Sequence, residues 1–134
     1  MSFEKSNILI IDDNDDHQIL MEEALRQCVQ EANIVFAGTG EECLLELSKG
    51  NYDVVVIDFN LSDMDGLEVL RSMNYKEYNI PAIMVTAFGD ENIAVEAMKL
   101  GALDYIVKSN TVPGDILKKV EDLLKKKGAL KDKK

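Results

Sequence analysis

The sequence predicts an α/β fold in which one five-stranded parallel sheet carries helices on both faces. Five short apolar runs alternate with five amphipathic stretches along the 134 residues. The runs are mostly continuous and rich in β-branched residues, which is typical of strands buried on both faces of a parallel sheet. Because each run is followed by an amphipathic stretch, we expect right-handed crossovers with helices above and below the sheet.

Most of the predicted strands stop at a polar residue. The first stops at Asp12 and Asp13, and the third runs directly into Asp58. The fourth ends at Thr86 and the fifth at Lys108, whereas the second is followed by a glycine-containing turn. The five predicted strands are Asn7–Ile11, Ile34–Ala37, Val54–Ile57, Ala82–Val85 and Tyr105–Val107.

Apolar residues at helical spacing predict the five helices. They recur around residues 19–28, 43–47, 67–73, 93–100 and 116–124. In the first of these stretches the spacing begins with Ile19 and Leu20. Gly50 and Gly101 follow the second and fourth stretches, where a helix is expected to end, and Pro113 suits the first turn of the last helix.

Composition and charge exclude several classes of function. Hydrophobic residues make up 46% of the chain, so a disordered chain is not expected. The net charge is −10, and binding to nucleic-acid phosphates depends on lysine and arginine, so no direct DNA or RNA partner is predicted. The same negative charge disfavours anionic membrane surfaces. A protein partner, a cation or a small ligand is compatible with this composition and charge.

The sequence predicts a single cytoplasmic domain. No apolar run approaches the roughly 20 residues that a membrane span needs, and Met1–Asn7 lacks the apolar stretch of a signal peptide. Cys28 and Cys43 lack the spacing of a zinc site, and we expect both to be buried and reduced. Residues 1–127 are assigned to the domain, and 128–134 to a short Lys-rich tail or linker stump.

The polar residues at the strand ends predict one site. In an open α/β sheet the carboxyl ends of the strands share an edge, and ligands bind in the crevice there. Five side chains from four distant segments should therefore meet. They are Asp12, Asp13, Asp58, Thr86 and Lys108.

Such a set suits transfer of a phosphoryl group. Two carboxylates about 4 Å apart repel each other by about 4 kcal/mol at an effective dielectric constant near 20, so a cation is expected among them. Mg²⁺ is the usual hard cation where oxygen ligands must also meet phosphate oxygens. Lys108 would supply a second positive charge, a carboxylate would attack in line, and the Thr86 hydroxyl would donate to the phosphoryl group.

Each piece also has a plainer interpretation when it is taken alone. Asp12 and Asp13 could cap a helix, and Asp58 could form a turn. The segment Asp63–Gly66 is interpreted as loop chemistry, and His17 as a partly exposed helix residue without a second metal ligand nearby. The joint pattern favours a functional site.

The sequence closely resembles the receiver domains of two-component response regulators from about Asn7 to Lys126. Four segments carry the resemblance, and they correspond to the acidic pair, the phosphoacceptor strand with its loop, the switch threonine and the lysine. The segments are Ile8–Asp13, Val54–Leu61 with Met64–Leu67, Val85–Ala87 and Gly101–Lys108. The resemblance implies a flavodoxin-like (βα)5 doubly wound fold with the strand order 2-1-3-4-5.

The resemblance also implies roles for the matching residues. Asp58 would be the phosphorylated residue and Lys108 would contact the phosphoryl group, while Thr86 and Tyr105 would move as a switch. The resemblance implies a histidine kinase or a phosphotransfer domain as donor and an unknown downstream protein as target. The target or a second copy of the chain would dock on the face formed by helix 4, strand 5 and helix 5. The implied Mg²⁺ ligands are Asp12 (through water), Asp13, Asp58 and the backbone carbonyl of Asn60.

Two positions depart from the family pattern. Ser109 follows Lys108 where the family commonly has a proline, and a cis peptide bond without proline costs about 2.5–4 kcal/mol, so this peptide is expected to be trans or strained. The identity of Lys108 is therefore better defined by the resemblance than its placement. Ser62 also replaces a common proline, which loosens the loop prediction. Phe88 stands two residues after Thr86, and we expect this apolar side chain to exclude water and prolong the phosphorylated state.

Three alternatives compete with a phosphoacceptor switch, which would turn over no external substrate. A haloacid-dehalogenase-type phosphatase needs a second aspartate two residues after the nucleophile, where Asn60 stands. A flavodoxin-like FMN-binding module needs a phosphate-cradling loop after the first strand, where this chain is acidic. A degenerate receiver that only docks a protein partner stays open because of Ser109.

Overall fold

The five strands and five helices alternate strictly in the computed structural model, which describes residues 6–28, 32–87, 89–107 and 113–127. The strands pair in parallel in the order β2-β1-β3-β4-β5, which confirms the predicted sheet and strand order. In chain order the elements are β1 Asn7–Ile11, α1 Asp15–Cys28, β2 Asn33–Ala37, α2 Gly40–Lys49, β3 Val54–Asp58, α3 Gly66–Tyr75, β4 Ala82–Thr86, α4 Glu91–Lys99, β5 Asp104–Val107 and α5 Pro113–Lys127.

The register of the sheet brings the carboxyl ends of the strands to one edge. Asp58 at the end of β3 lies beside Val85 of β4, and Thr86 lies beside Val107 of β5. The backbone N–H of Asp12, just after β1, donates to the carbonyl of Ala37 at the end of β2 (3.0 Å). The polar residues that follow these strands therefore share one edge.

Two hydrophobic layers sandwich the sheet, because successive strand residues point to opposite faces. On one face, side chains such as Leu9, Ile57 and Met84 pack with the buried side chains of α2, α3 and α4. On the other face, the alternate residues, such as Ile10 and Val56, pack with α1 and α5. All five residues of β3 are buried, which explains why its apolar run is continuous in sequence.

The helix ends follow the predicted signals. Gly101 has a φ of +100° just after α4, a left-handed conformation that glycine adopts without steric cost. Its N–H donates to the carbonyl of Met98 (3.1 Å), and the N–H of Ala102 donates to that of Ala97 (2.9 Å). These two bonds form a Schellman motif that ends α4. Pro113 is the first residue of α5, as predicted.

Burial differs from the periodicity at a few helix positions. Ile19 and Leu20 carry the apolar spacing of α1, yet they are 57% and 53% exposed, because α1 turns Leu25 toward the sheet instead. Cys43 is a buried free thiol, as predicted, whereas the side chain of Cys28 lies outside the described part of the chain. Among the described residues, no helix is long and apolar enough to cross a membrane.

Candidate functional site

Three carboxylates converge at the carboxyl edge of the sheet. One oxygen each from Asp12, Asp13 and Asp58 lies within 4.8 Å of the other two. Asp12 and Asp58 are buried, at 4% and 8% exposure, whereas Asp13 is exposed. The structure thus brings together side chains that are up to 46 residues apart in sequence, and one of them, Asp13, is open to solvent.

Local hydrogen bonds orient the two buried carboxylates. The backbone N–H of Asn14 donates to Oδ1 of Asp12 (2.9 Å), and the N–H of Asn60 donates to Oδ1 of Asp58 (3.1 Å). The Asn14 side chain in turn accepts from the N–H of His17 (3.0 Å), so Asn14 caps α1. The acidic pair therefore precedes the helix cap and does not serve as the cap itself.

His17 contacts the acidic cluster, which the sequence analysis did not anticipate. Its Nδ1 lies 3.4 Å from Oδ2 of Asp12, and its side chain is 44% exposed. The partly exposed helix position was predicted, but the contact with Asp12 was not. The signal that could have found it is spacing, because the first turn of α1 begins directly after the acidic pair.

Of the other residues for which the sequence predicts a role, Thr86 and Tyr105 lie in the described part of the chain. Thr86 is the last residue of β4 and is 2% exposed, at the same edge as Asp58. Tyr105 in β5 is partly buried, and its hydroxyl accepts from the N–H of Asp90 at the N-terminus of α4 (3.3 Å). Lys108, Ser109 and Phe88 lie outside the described residues, so the predictions made for them stay predictions.

The loop between β3 and α3 is held at both ends. Asn60 and Asp65 form an isolated antiparallel bridge, and the N–H of Gly66 donates to the carbonyl of Phe59 (2.9 Å). Asp65 caps α3 by accepting from the N–H of Glu68 (2.9 Å), whose side chain accepts from the N–H of Asp65 (3.3 Å). This capping box gives Asp65 a structural role at the start of α3. It fits the interpretation of Asp63–Gly66 as a loop segment.

The donor set fits a hard divalent cation. The three clustered side chains offer only oxygen atoms, and oxygen ligands are those that Mg²⁺ and Ca²⁺ prefer. Close carboxylates repel each other unless a positive charge lies among them. Asp13 opens the cluster to solvent, which suits an ion that keeps several waters.

Two regulatory proteins illustrate what this chain is similar to in sequence. The chain is 33% identical over 108 residues to the transcriptional regulatory protein ZraR of Klebsiella oxytoca, which covers 81% of this chain and 24% of that protein. It is 33% identical over 103 residues to the regulatory protein AtoC of Escherichia coli strain K12, covering 77% of this chain and 22% of AtoC. The chain thus spans about a quarter of the length of these relatives.

Solved structures share the fold. A CheY-like response regulator receiver domain protein from Methanospirillum hungatei JF-1 superposes with a TM-score of 0.82 and 26% identity, covering 92% of this chain and 96% of that one. Residues 8–121 match the family described as the response regulator receiver domain. The chain therefore belongs to the receiver domain family of two-component response regulators.

Proposed function

We propose that this chain is a phosphoacceptor switch that takes a phosphoryl group onto Asp58 from a phosphohistidine donor. The observation that carries the proposal is the cluster of Asp12, Asp13 and Asp58, whose oxygens lie within 4.8 Å of one another. Membership of the receiver domain family supports the same role. The donor would be a histidine kinase or a phosphotransfer domain.

In the proposed step, a carboxylate oxygen of Asp58 attacks the phosphorus atom of the phosphohistidine. A P–O bond forms as the P–N bond breaks, and the departing imidazole takes up a proton. The Asn60 N–H holds Oδ1 of Asp58 at 3.1 Å, which limits rotation of the carboxylate. Orienting a nucleophile in this way removes part of the entropic cost of the reaction.

The residues that would hold Mg²⁺ are the same carboxylates and the backbone carbonyl of Asn60, with Asp12 acting largely through water. Bound Mg²⁺ would neutralise charge on the phosphoryl oxygens and on the clustered carboxylates. Asp12 is already oriented by the Asn14 N–H at 2.9 Å. Lys108 is proposed as the second cation at the phosphoryl group.

The proposed readout begins at Thr86 and Tyr105. Thr86 is buried at the edge that holds Asp58, so its hydroxyl could move toward a newly added phosphoryl group. The Tyr105 hydroxyl already contacts the N-terminus of α4 through the Asp90 N–H (3.3 Å). Movement of Thr86 and Tyr105 would change the α4–β5–α5 face, where a downstream protein or a second copy would dock.

Intact-mass analysis with acetyl phosphate tests the proposal. The wild type should gain one phosphoryl group with MgCl2 and should not gain it with EDTA. The variant Asp58→Ala should gain none under either condition, because the attacking oxygen is removed. Asp16→Ala provides a matched control, since Asp16 is an exposed carboxylate near the site in the first turn of α1.

Two outcomes would contradict the proposal. Label that persists in Asp58→Ala would place the phosphoryl group on another residue. A wild type that takes no label from acetyl phosphate or from a phosphorylated histidine domain would leave the docking-only receiver as the function.

A further inference from the structure

The β3–α3 loop is tied to the start of α2 by the side chain of Asp63. Oδ1 of Asp63 accepts from the N–H of Gly40 (2.9 Å), and Oδ2 accepts from the N–H of Glu41 (3.0 Å). Gly40 and Glu41 are the first residues of α2, where N–H groups have no partner within the helix. The carboxylate thus joins segments that are 23 and 22 residues apart in sequence.

Apolar contact reinforces this tie. A Cβ atom added at Gly40 would lie 2.5 Å from Cγ and 2.7 Å from Sδ of Met64, so the absence of a side chain at Gly40 lets the loop approach the helix. The cap of α2 is a separate contact, because the Thr39 side chain accepts from the N–H of Glu42 (3.0 Å). The helix end and the loop tip can therefore be perturbed independently.

Asp63 lies in the part of the loop that the Asn60–Asp65 bridge encloses. The bridge between Asn60 and Asp65 closes the base of the loop. Ser62 leaves the backbone before Asp63 without the fixed φ angle that a proline would impose. Burial raises the pKa of Asp63, but backbone N–H donors, those of Gly40 and Glu41 first among them and then those of Asp63 and Met64, together lower it below its ordinary value.

We propose that Asp63 is a positioning residue for the cation site, because it anchors the β3–α3 loop, which carries Asn60, to the N-terminus of α2. This inference rests on the proposed function, in which the carbonyl of Asn60 is a Mg²⁺ ligand. Freed from α2, the loop tip would sample more conformations, and the carbonyl would be less often in place. The cation site would then bind Mg²⁺ more weakly, although none of its ligands had changed.

Isothermal titration with MgCl2 tests the inference in Asp63→Ala. The Mg²⁺ dissociation constant should rise about tenfold, the lower end of the effect of removing groups that orient metal ligands. The rate of phosphorylation by acetyl phosphate should fall at low Mg²⁺ and recover at saturating Mg²⁺. The variant Gly40→Ala should weaken Mg²⁺ binding in the same way, because its Cβ would displace Met64.

Thr39→Ala is the matched control. It removes a hydrogen bond from the same helix end and so lowers stability, but it leaves Asp63 and the loop in place. Its Mg²⁺ dissociation constant should equal that of the wild type. Equal constants in Asp63→Ala and Thr39→Ala, with a phosphorylated wild type, would overturn the inference alone. A wild type that binds no Mg²⁺ would overturn the proposed function and the inference together.

Discussion

Gly66 is the residue at which the β3–α3 loop comes closest to the sheet. A Cβ atom at this position would lie 2.7 Å from Sδ of Met84 and 3.0 Å from the Cα of Phe59. The Met84 side chain is fully buried and the nearest atom of Phe59 belongs to the backbone, so neither can move without disturbing the surrounding packing. The glycine is therefore required by close approach, one residue after the cap of α3.

We expect Gly66→Ala to lower the free energy of unfolding by about 1–3 kcal/mol, the usual cost of overpacking. Urea denaturation followed by circular dichroism measures the change. Gly38→Ala is the control, because its Cβ would meet only the end of the Glu42 side chain at 3.5 Å. That variant should stay within about 0.5 kcal/mol of the wild type. Equal losses in both variants would refute the steric explanation.

Cys43 in α2 and Tyr52 in the α2–β3 connection are buried groups whose pKa values are raised. Burial raises the pKa of Cys43 from 9.0 to about 12. Burial, and then the hydrogen bond to Glu46, raises the pKa of Tyr52 from 10.0 to about 12. The Tyr52 hydroxyl donates to Oε1 of Glu46 (2.8 Å), and this bond ties the α2–β3 connection to the helix.

These two groups predict how stability depends on alkaline pH. The unfolded chain loses their protons near pH 9 and 10, whereas the folded chain keeps them until about pH 12. The folded state therefore binds more protons in this window, and the free energy of unfolding should fall as pH rises from 9 to 12. Below that window these groups should contribute no slope.

Tyr52→Phe separates the two contributions. It should cost about 1 kcal/mol at neutral pH through the lost hydrogen bond, and it should reduce the alkaline slope to the part that Cys43 supplies. Urea denaturation in the presence of a reductant, repeated across the alkaline range, measures both. Tyr75→Phe, at a side chain that is 86% exposed, controls for the removal of a phenol. An unchanged slope in Tyr52→Phe would contradict the assignment.

At the scale of the whole molecule, the acidic cluster couples folding to cation binding. The chain carries a net charge of −10, and three of its carboxylates are held within 4.8 Å of one another. Folding must bring them together against their repulsion. A cation that binds only the folded cluster stabilises the fold, by about 2.7 kcal/mol at a concentration 100 times its dissociation constant.

We expect Asp13→Asn to relieve the repulsion among the carboxylates and to weaken the stabilisation by Mg²⁺. Without Mg²⁺ the variant should be more stable than the wild type by about 1 kcal/mol, the repulsion of two charges about 4 Å apart in water. With Mg²⁺ it should gain little, because one proposed ligand has lost its charge. Thermal unfolding in EDTA and in MgCl2 measures both effects.

Asp15→Asn is the matched control for this prediction. Asp15 is exposed in the first turn of α1, close to the cluster in sequence but outside it. Its loss should remove a favourable interaction with the helix dipole, of about 0.3–1 kcal/mol, and should leave the Mg²⁺ effect intact. If Mg²⁺ stabilised Asp13→Asn as strongly as the wild type, Asp13 would not be a ligand.

The sequence by itself determined the order of the elements and the edge of the sheet where function gathers. Continuous apolar runs and helical spacing are local signals, and the parallel direction of the strands follows from the alternation of strands and helices. The position of Asp58 directly after a continuous apolar run predicts that it lies at the carboxyl edge of the sheet, where ligands bind. Gly101 and Pro113 likewise marked helix ends through their own backbone preferences.

Only the tertiary structure decided which remote groups touch. Ile19 and Leu20 fit the helical spacing of α1 but are exposed, since the face that α1 turns toward the sheet carries Leu25. The bonds from Asp63 to the start of α2 join segments that are 22 and 23 residues apart. No local propensity encodes such contacts, because they exist only once the helices have packed on the sheet.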